Sequence, residues 1–146
     1  MGTKLHTYVP SEIKIIFKGT EARGITKGTF CTVKRSTELW SLTISGDGQD
    51  ATRVQSLDKT GIVEVTLDAG SETNKQYSDI IASDEVNRDG VGSLTVQDLN
   101  GNDLHTSEKA FIKSFAEVEY GENAGARKYM IQCVELLTTS GGSASA

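Results

Sequence analysis

The sequence predicts a mainly β fold: a β-sandwich or barrel of about seven or eight antiparallel strands, with one flanking α-helix at about residues 72–86. Three observations support this prediction. Fifteen glycines stand against one proline, which suits a chain of many tight turns. Short alternating runs are separated by Gly, Asp and Asn. One stretch alone combines helical spacing with no internal glycine or proline. A length of 146 residues indicates one domain with its own core.

The first strands are predicted at residues 12–18, 29–36 and 39–45. The third of these alternates between apolar side chains and small hydroxyls, which is the two-residue period of a strand. Its apolar side chains are Trp40, Leu42 and Ile44, and its hydroxyls are Ser41, Thr43 and Ser45. Because the single tryptophan has apolar neighbours in this pattern, we expect it to pack in the core.

A second pair of strands is predicted at residues 51–56 and 62–67, after a GDGQD turn and an LDKTG step. The strand at 62–67 has one apolar face and one more polar face. The first face carries Val63, Val65 and Leu67, and the second carries Ile62, Glu64 and Thr66. Such a strand is half-buried, so its polar face meets water or a wet surface.

The predicted helix begins after Ser71, a residue type that favours the N-cap position, with Glu72 in the first turn. Tyr77, Ile80 and Ile81 lie at helical spacing and would face the core. Beyond the helix, VGSLTVQDLNGNDL predicts a hairpin with a type I′ turn at Asn100 and Gly101.

The remaining strands are predicted near residues 110–120 and 129–137. Residues 1–11 show little periodicity and are interpreted as an N-terminal arm. Residues 12–138 form the β-domain, and the small polar residues 139–146 form a flexible C-terminal tail.

Charge and hydropathy exclude several classes of protein. The net charge of −5 and the absence of a basic stripe argue against a protein that grips DNA. No apolar run approaches the roughly 20 residues that span a bilayer, and the first residues do not resemble a signal peptide. We therefore expect no membrane insertion by this chain and a reducing cytoplasm as its place of synthesis. Cys31 and Cys133 are then free buried thiols, with a disulfide as the alternative.

The residues that usually carry chemistry do not form a recognisable set. His6 and His105 are far apart in sequence and are expected to be solvated surface side chains. SGDGQD resembles a calcium loop in composition but lacks its ligand spacing. No nucleophile elbow is present, and Glu117 and Glu119, predicted on one strand face, are explained as surface carboxylates. We expect no catalytic, metal or cofactor site, and no enzyme.

Three ordered segments carry a family resemblance. They are LDKTG at 57–61, DLNGN at 98–102 and YGENAGARKYMIQC at 120–133, within a similarity that runs from about residue 12 to residue 138. In this order they resemble the tail tube proteins of Mu-like contractile-tailed bacteriophages. The resemblance implies a structural subunit that assembles into rings of six, which stack into a hollow conduit inside a contractile sheath and deliver the genome.

Under this resemblance, the strands at 39–45, 51–56 and 62–67 are candidates for the inner wall of the tube. The candidate lumen-facing residues are Ser41, Thr43, Ser45, Glu64 and Thr66. The arm and the loop tips are candidates for contacts between rings, through Lys4, Tyr8, Asp47, Asp50 and Lys59. Closing a sheet around a ring also removes exposed strand edges.

The resemblance implies partners and a location as well. The partners are other copies of the chain, the tail sheath protein, baseplate or initiator proteins, a tail terminator and a tape-measure protein, with DNA passing transiently and without specific binding. The location is the virion tail, after assembly in the host bacterial cytoplasm. Two alternatives stay open: the inner tube of a bacterial contractile injection system, and a non-catalytic β-sandwich binding module.

Overall fold

The computed structural model describes residues 2–3 and 5–140, and within them ten strands and one α-helix. A short 3-10 turn at Pro10–Glu12 precedes the first strand. The strands are β1 Ile13–Phe17, β2 Thr20–Glu21, β3 Cys31–Arg35, β4 Trp40–Ile44, β5 Ala51–Gln55, β6 Gly61–Asp68, β7 Gly92–Asp98, β8 Leu104–Ile112, β9 Ala126–Cys133 and β10 Leu137–Thr139. The helix, α1, is Thr73–Asn87, between β6 and β7.

Eight strands form one antiparallel sheet in the order β2-β1-β7-β8-β9-β6-β3, with β10 paired to β8 beside β9. The longest ladder joins β6 to β9, from Gly61 opposite Cys133 to Asp68 opposite Ala126. Strands β4 and β5 pair with each other in a separate two-stranded sheet. The predicted fold class, mainly antiparallel β with one helix, is confirmed.

The core lies on one face of the large sheet. In β6, Val63, Val65 and Leu67 are fully buried, while the alternate positions are half-buried on the opposite face. Side chains from the other strands complete the same layer: Ile15, Phe17, Leu94, Val96, Ala110, Ile112, Tyr129, Ile131 and Cys133. Burying a side chain of this size contributes roughly 1.5–3 kcal/mol. The predicted division of β6 into two faces is therefore confirmed.

Helix α1 covers this core through the predicted stripe. Tyr77 and Ile81 are buried and Ile80 is partly buried against the core. The Tyr77 ring stands edge-on to Phe17, with 6.3 Å between ring centroids, and edge-on to Tyr129 at 5.1 Å. This geometry is the favoured one for aromatic pairs. One tyrosine of the helix thus joins β1 to β9.

The ends of the helix differ slightly from the prediction. Thr73 is the first helical residue, and its N–H donates to the Ser71 hydroxyl at 3.2 Å, so Ser71 does bind the helix start. Glu72 occupies the position just before the helix rather than its first turn. Arg88 ends the helix in the left-handed region, with φ 57°, and its N–H donates to the Asp84 carbonyl at 2.8 Å.

Two predictions for the last third of the chain are wrong. Neither Asn100 nor Gly101 has a positive φ, so the β7–β8 connection is not a type I′ turn. The Asp98 carboxylate instead accepts the Asn100 N–H at 2.9 Å, which is a side-chain-directed turn. The strand expected at 110–120 lies at 104–112. Residues 113–125 are then a loop, so Glu117 and Glu119 do not lie on a strand face.

The termini and the cysteines can be compared with their predictions only in part. Residues 141–146, most of the predicted tail, lie outside the described residues, and Thr139 belongs to β10. In the arm, the Thr7 carbonyl accepts a hydrogen bond from the Asn100 side chain at 3.1 Å. Both cysteines are free thiols, Cys133 buried and Cys31 half-buried.

His105 departs from the expectation of a solvated side chain. It is half-buried, and its Nδ1 is buried without a hydrogen-bond partner within the described part of the chain. It lines a cavity of about 300 Å³ together with residues of the arm and of strands from both ends of the sheet. Those residues include Tyr8, Ile13, Cys31, Val33, Val96 and Asp98. The sheet is therefore curled enough for β3 to face β1 and β7.

We predict opposite effects for removing two core tyrosine hydroxyls. The Tyr77 hydroxyl is buried and finds no partner among the described residues, whereas the Tyr129 hydroxyl donates to Asn74 Oδ1 at 3.1 Å. Tyr77→Phe should leave the free energy of unfolding unchanged or raise it by about 1 kcal/mol, since burying an unpaired hydroxyl is costly. Tyr129→Phe should lower it by about 1 kcal/mol. Urea denaturation followed by circular dichroism measures both.

Alkaline pH should destabilise the fold through Cys31. Burial raises the pKa of the Cys31 thiol from 9.0 to about 12. The folded state therefore holds this proton more tightly, so its contribution to stability is complete below pH 9 and is lost as pH rises towards 12. The urea concentration at the midpoint of denaturation should be lower at pH 10.5 than at pH 8. This decrease should be smaller in Cys31→Ala. An equal fall in both proteins would contradict this assignment.

Candidate functional site

The β4–β5 hairpin is left uncovered by the rest of the described chain. Its register runs from Trp40 opposite Gln55 to Ile44 opposite Ala51. The connecting turn is held by side chains: the Ser45 hydroxyl donates to Asp47 Oδ1 at 2.6 Å and accepts the Asp50 N–H at 3.0 Å. The Ser45 hydroxyl is also the main cause that lowers the pKa of Asp47. Gly48, with φ 72°, takes the left-handed position of this turn.

All ten residues of the two hairpin strands are exposed. Leu42 is 67% exposed, Ile44 54% and Trp40 38%, so the expectation that Trp40 packs in the core is wrong. The guanidinium of Arg53 lies 3.4 Å from the centroid of the Trp40 ring, a cation–π contact. An isolated two-stranded hairpin is at best marginally stable in water, and contiguous exposed apolar side chains mark interaction sites. This hairpin is therefore the candidate assembly element.

The hairpin has two chemically different faces. Residues directly opposite in an antiparallel pair share a face, so Leu42 lies beside Arg53, and Trp40 beside Gln55. We call the surface formed by Trp40, Leu42, Ile44 and Arg53 the hairpin face. The opposite face carries Ser41, Thr43, Thr52 and Val54. The hairpin face thus combines apolar side chains with one cation.

The five candidate lumen-facing residues fall into two groups. Glu64 and Thr66 lie on the outer face of the large sheet, where Lys128 Nζ is 3.8 Å from Glu64 Oε2. Ser41, Thr43 and Ser45 belong to the hairpin and its turn. Because β6 pairs with β3 and β9 and β5 pairs with β4, the three strands expected to form one wall are divided between two sheets.

The candidate residues for contacts between rings lie at three places. Tyr8 is in the arm, 63% exposed, at the edge of the cavity beside β1 and β7. Asp47 and Asp50 are in the hairpin turn. Lys59 is in the loop before β6, with its Nζ 3.6 Å from Glu135. Lys4 lies outside the described residues.

A second surface with exposed apolar side chains lies beside the β8–β9 loop. There a groove of about 450 Å³ is lined by Ser114, Phe115, Glu117, Glu119, Gly125, Ala126, Lys128 and Met130, and we call it the loop groove. Phe115 and Met130 are exposed, and Tyr120 nearby is 89% exposed. Glu117 and Glu119 form no ion pair with any described residue. The alternation of acidic and apolar residues in FAEVEY, at 115–120, predicts a strand. The sequence therefore gives no sign of a groove here.

Within residues 2–3 and 5–140, no group of three or more His, Cys, Asp or Glu side chains is arranged to hold a metal ion. The helix in the described residues is not long and apolar enough to cross a membrane. In the hairpin turn, the carboxylate of Asp47 is engaged by Ser45 and by the Gln49 N–H at 3.0 Å, which is turn chemistry.

Comparison with solved structures places this fold among components of contractile injection systems. One similar chain is in a structure described as the sheath/tube terminator of an extracellular contractile injection system, PVC, in the extended state. It has a TM-score of 0.65 and 9% identity, covering 93% of this chain and 99% of that chain. Another is in the tube-terminating cap of the anti-feeding prophage, with a TM-score of 0.63 and 7% identity, covering 96% of each chain.

A third similar chain comes from the PVC sheath-tube complex in the extended state, with a TM-score of 0.60 and 10% identity, covering 92% of each chain. At these identities the likeness establishes the fold. No protein-family model and no curated protein matches the sequence. The chain therefore has the fold of contractile-system tube and terminator components, whereas a specific relation to Mu-like phages stays a prediction.

Truncating one leucine of the hairpin and one of the core should have very different effects on the free energy of unfolding. Leu42→Ala should change the free energy of unfolding of the isolated chain by less than about 0.5 kcal/mol, because Leu42 is an exposed side chain on the hairpin. Leu67→Ala should lower it by about 2–5 kcal/mol, because Leu67 is fully buried in β6. Urea denaturation of dilute protein by circular dichroism measures both. A large loss in the Leu42 variant would place the hairpin in the core.

Proposed function

We propose that the chain is a structural subunit of the tube of a contractile tail or injection apparatus, and that copies of it form rings that stack into a hollow conduit. The observation that carries this proposal is the exposed hairpin, an apolar two-stranded sheet with no cover from the described part of its own chain. An element of this kind is stable when other molecules bury it. The fold shared with tube-associated chains supports further copies of this chain as the molecules that bury the hairpin.

The open edges of the sheet support the same proposal. The large sheet ends in β3 on one side and in β2 and β1 on the other, and no further described strand pairs with either edge. A solitary β-domain must protect such edges, while a ring can pair them between subunits. In a ring of six, the number that the family resemblance implies, the part of the outer face around Glu64 and Thr66 that neighbouring copies leave uncovered would line the channel.

The channel surface that follows is polar and partly neutralised. On the outer face of β6, Glu64 is paired with Lys128 and Thr66 adds a hydroxyl. We propose these residues as lumen-facing, together with Ser41, Thr43 and Ser45 where the hairpin borders the channel. A wall without a strong basic stripe would let DNA pass without holding it. Tape-measure, baseplate, sheath and terminator proteins are the partners of such a conduit, in a phage virion assembled in the bacterial cytoplasm.

Two related roles compete with this one. A tube in a bacterial injection system would have the same subunit architecture, and the similar structures are from such systems. A terminator or cap would form one ring and stop, and two of the similar structures are described as terminators. A tube subunit stacks without limit, so the length of the assembly separates the tube from the terminator.

The test is negative-stain electron microscopy and sedimentation velocity of the purified protein across a concentration series. We expect hollow rings or tubes at high concentration and their loss in Leu42→Asp, which places a charge on the hairpin face. Val86→Asp is the matched control, because Val86 is also an exposed apolar residue but lies on α1. It should assemble as the wild type does.

Single rings that never lengthen would favour the terminator role. Particles of one chain at every concentration, even with a baseplate or sheath protein added, would contradict the tube proposal and favour a binding module. Equal loss of assembly in both variants would show that the hairpin is not the element that carries it.

A further inference from the structure

We propose that the hairpin face of one copy docks in the loop groove of a second copy, with Arg53 placed between Glu117 and Glu119. This inference rests on the proposed function, and it names the two surfaces through which copies join. Each surface exposes apolar side chains in the isolated chain. The hairpin face carries a cation, and the loop groove carries two carboxylates.

The charges of the two surfaces are complementary. The Arg53 guanidinium stacks on Trp40 and forms no ion pair with a described residue. Glu117 and Glu119 are exposed carboxylates of the loop groove, equally without ion pairs in the described chain. Because each copy carries a net charge of −5, copies repel one another at most orientations. A cation facing two carboxylates selects the orientation in which contact is favourable.

The apolar parts of the two surfaces match as well. The hairpin face presents Leu42 and Ile44, both more than half exposed. The loop groove presents Phe115 and Met130 within a volume of about 450 Å³, which accommodates more than one aliphatic side chain. Docking removes all four side chains from water, which is favourable in proportion to the apolar area buried. The stacked Arg53–Trp40 pair is already ordered, so less side-chain entropy is lost on contact.

The geometry of such a contact explains propagation. The hairpin face and the loop groove are different surfaces, so a pair of copies that uses one of each leaves one of each free. A contact of this heterologous kind closes into a ring or continues as a stack, whereas a contact between two identical surfaces stops at a dimer. Hairpin-to-groove docking therefore supplies the directional contact that a tube requires.

Charge reversal tests the pairing. The hairpin variant is Arg53→Glu, the groove variant is Glu117→Lys with Glu119→Lys, and the combined variant carries all three changes. Sedimentation velocity and negative-stain microscopy should show the concentration for half-assembly raised at least tenfold in each of the first two. The combined variant should return towards the wild type, and so should an equimolar mixture of the hairpin and groove variants.

The control for net charge is Glu72→Lys with Glu108→Lys, which changes the charge as the groove variant does, at exposed positions that do not line the groove. It should assemble as the wild type does. Circular dichroism establishes that every variant is folded. Wild-type assembly by both single-surface variants would overturn the pairing. So would folded single-surface variants that fail while the combined variant and the mixture also fail, because the two surfaces would then have other partners.

A second measurement separates this inference from the proposed function. In Arg53→Lys, a carbodiimide can join the new amine to a groove carboxylate as an amide. Equal parts of ¹⁵N-labelled and unlabelled protein distinguish links between copies from links within one. Mixed-isotope peptides that join position 53 to Glu117 or Glu119 support the pairing even where no tube forms. Links between copies that avoid these positions, or no link at millimolar concentration, would overturn it while leaving tube formation by the wild type intact.

Discussion

The structure depends on burying one face of the curled eight-stranded sheet beneath a single helix. Tyr77 of α1 is the centre of that contact, since its ring packs against both Phe17 of β1 and Tyr129 of β9. The alternation of β6 places Val63, Val65 and Leu67 in the same layer. Because this layer buries the apolar side chains of the sheet, the opposite face of the sheet and the separate hairpin take no part in the core.

The chain therefore has a part that buries its apolar side chains and a part that leaves them exposed. The core strands carry the buried side chains, while the hairpin and the β8–β9 loop carry exposed apolar side chains beside unpaired charges. In a protein that stays single, these exposed surfaces would be liabilities. In the polymer that we propose, they would determine which surfaces of two copies meet.

The parts of the fold that repeat locally were predictable from sequence, and the parts that depend on distant residues were not. The two faces of β6 and the stripe of α1 follow from periods of two and 3.6 residues, which any strand or helix obeys. Trp40 was misplaced because alternation shows that a strand has an apolar face but not whether its own chain covers that face. The turn at Asn100 differs from the prediction because the Asp98 carboxylate accepts the Asn100 N–H. The dipeptide Asn-Gly alone does not indicate this side-chain hydrogen bond. The loop groove is formed by residues from both ends of the β8–β9 loop, and a local sequence pattern does not show that these two ends lie together.

The position of the single tryptophan has an optical consequence. Trp40 lies on the hairpin, beside Arg53 and outside the core, whereas the buried aromatic side chains are Phe17, Tyr77 and Tyr129. The indole emission of this protein therefore reports the polarity around the hairpin and is nearly silent about the core. Contact with a neighbouring copy would shift that emission to shorter wavelength and shield it from soluble quenchers, while the tyrosines would follow unfolding. The molecule thus carries an intrinsic fluorescent probe on the element that we propose as the contact with neighbouring copies.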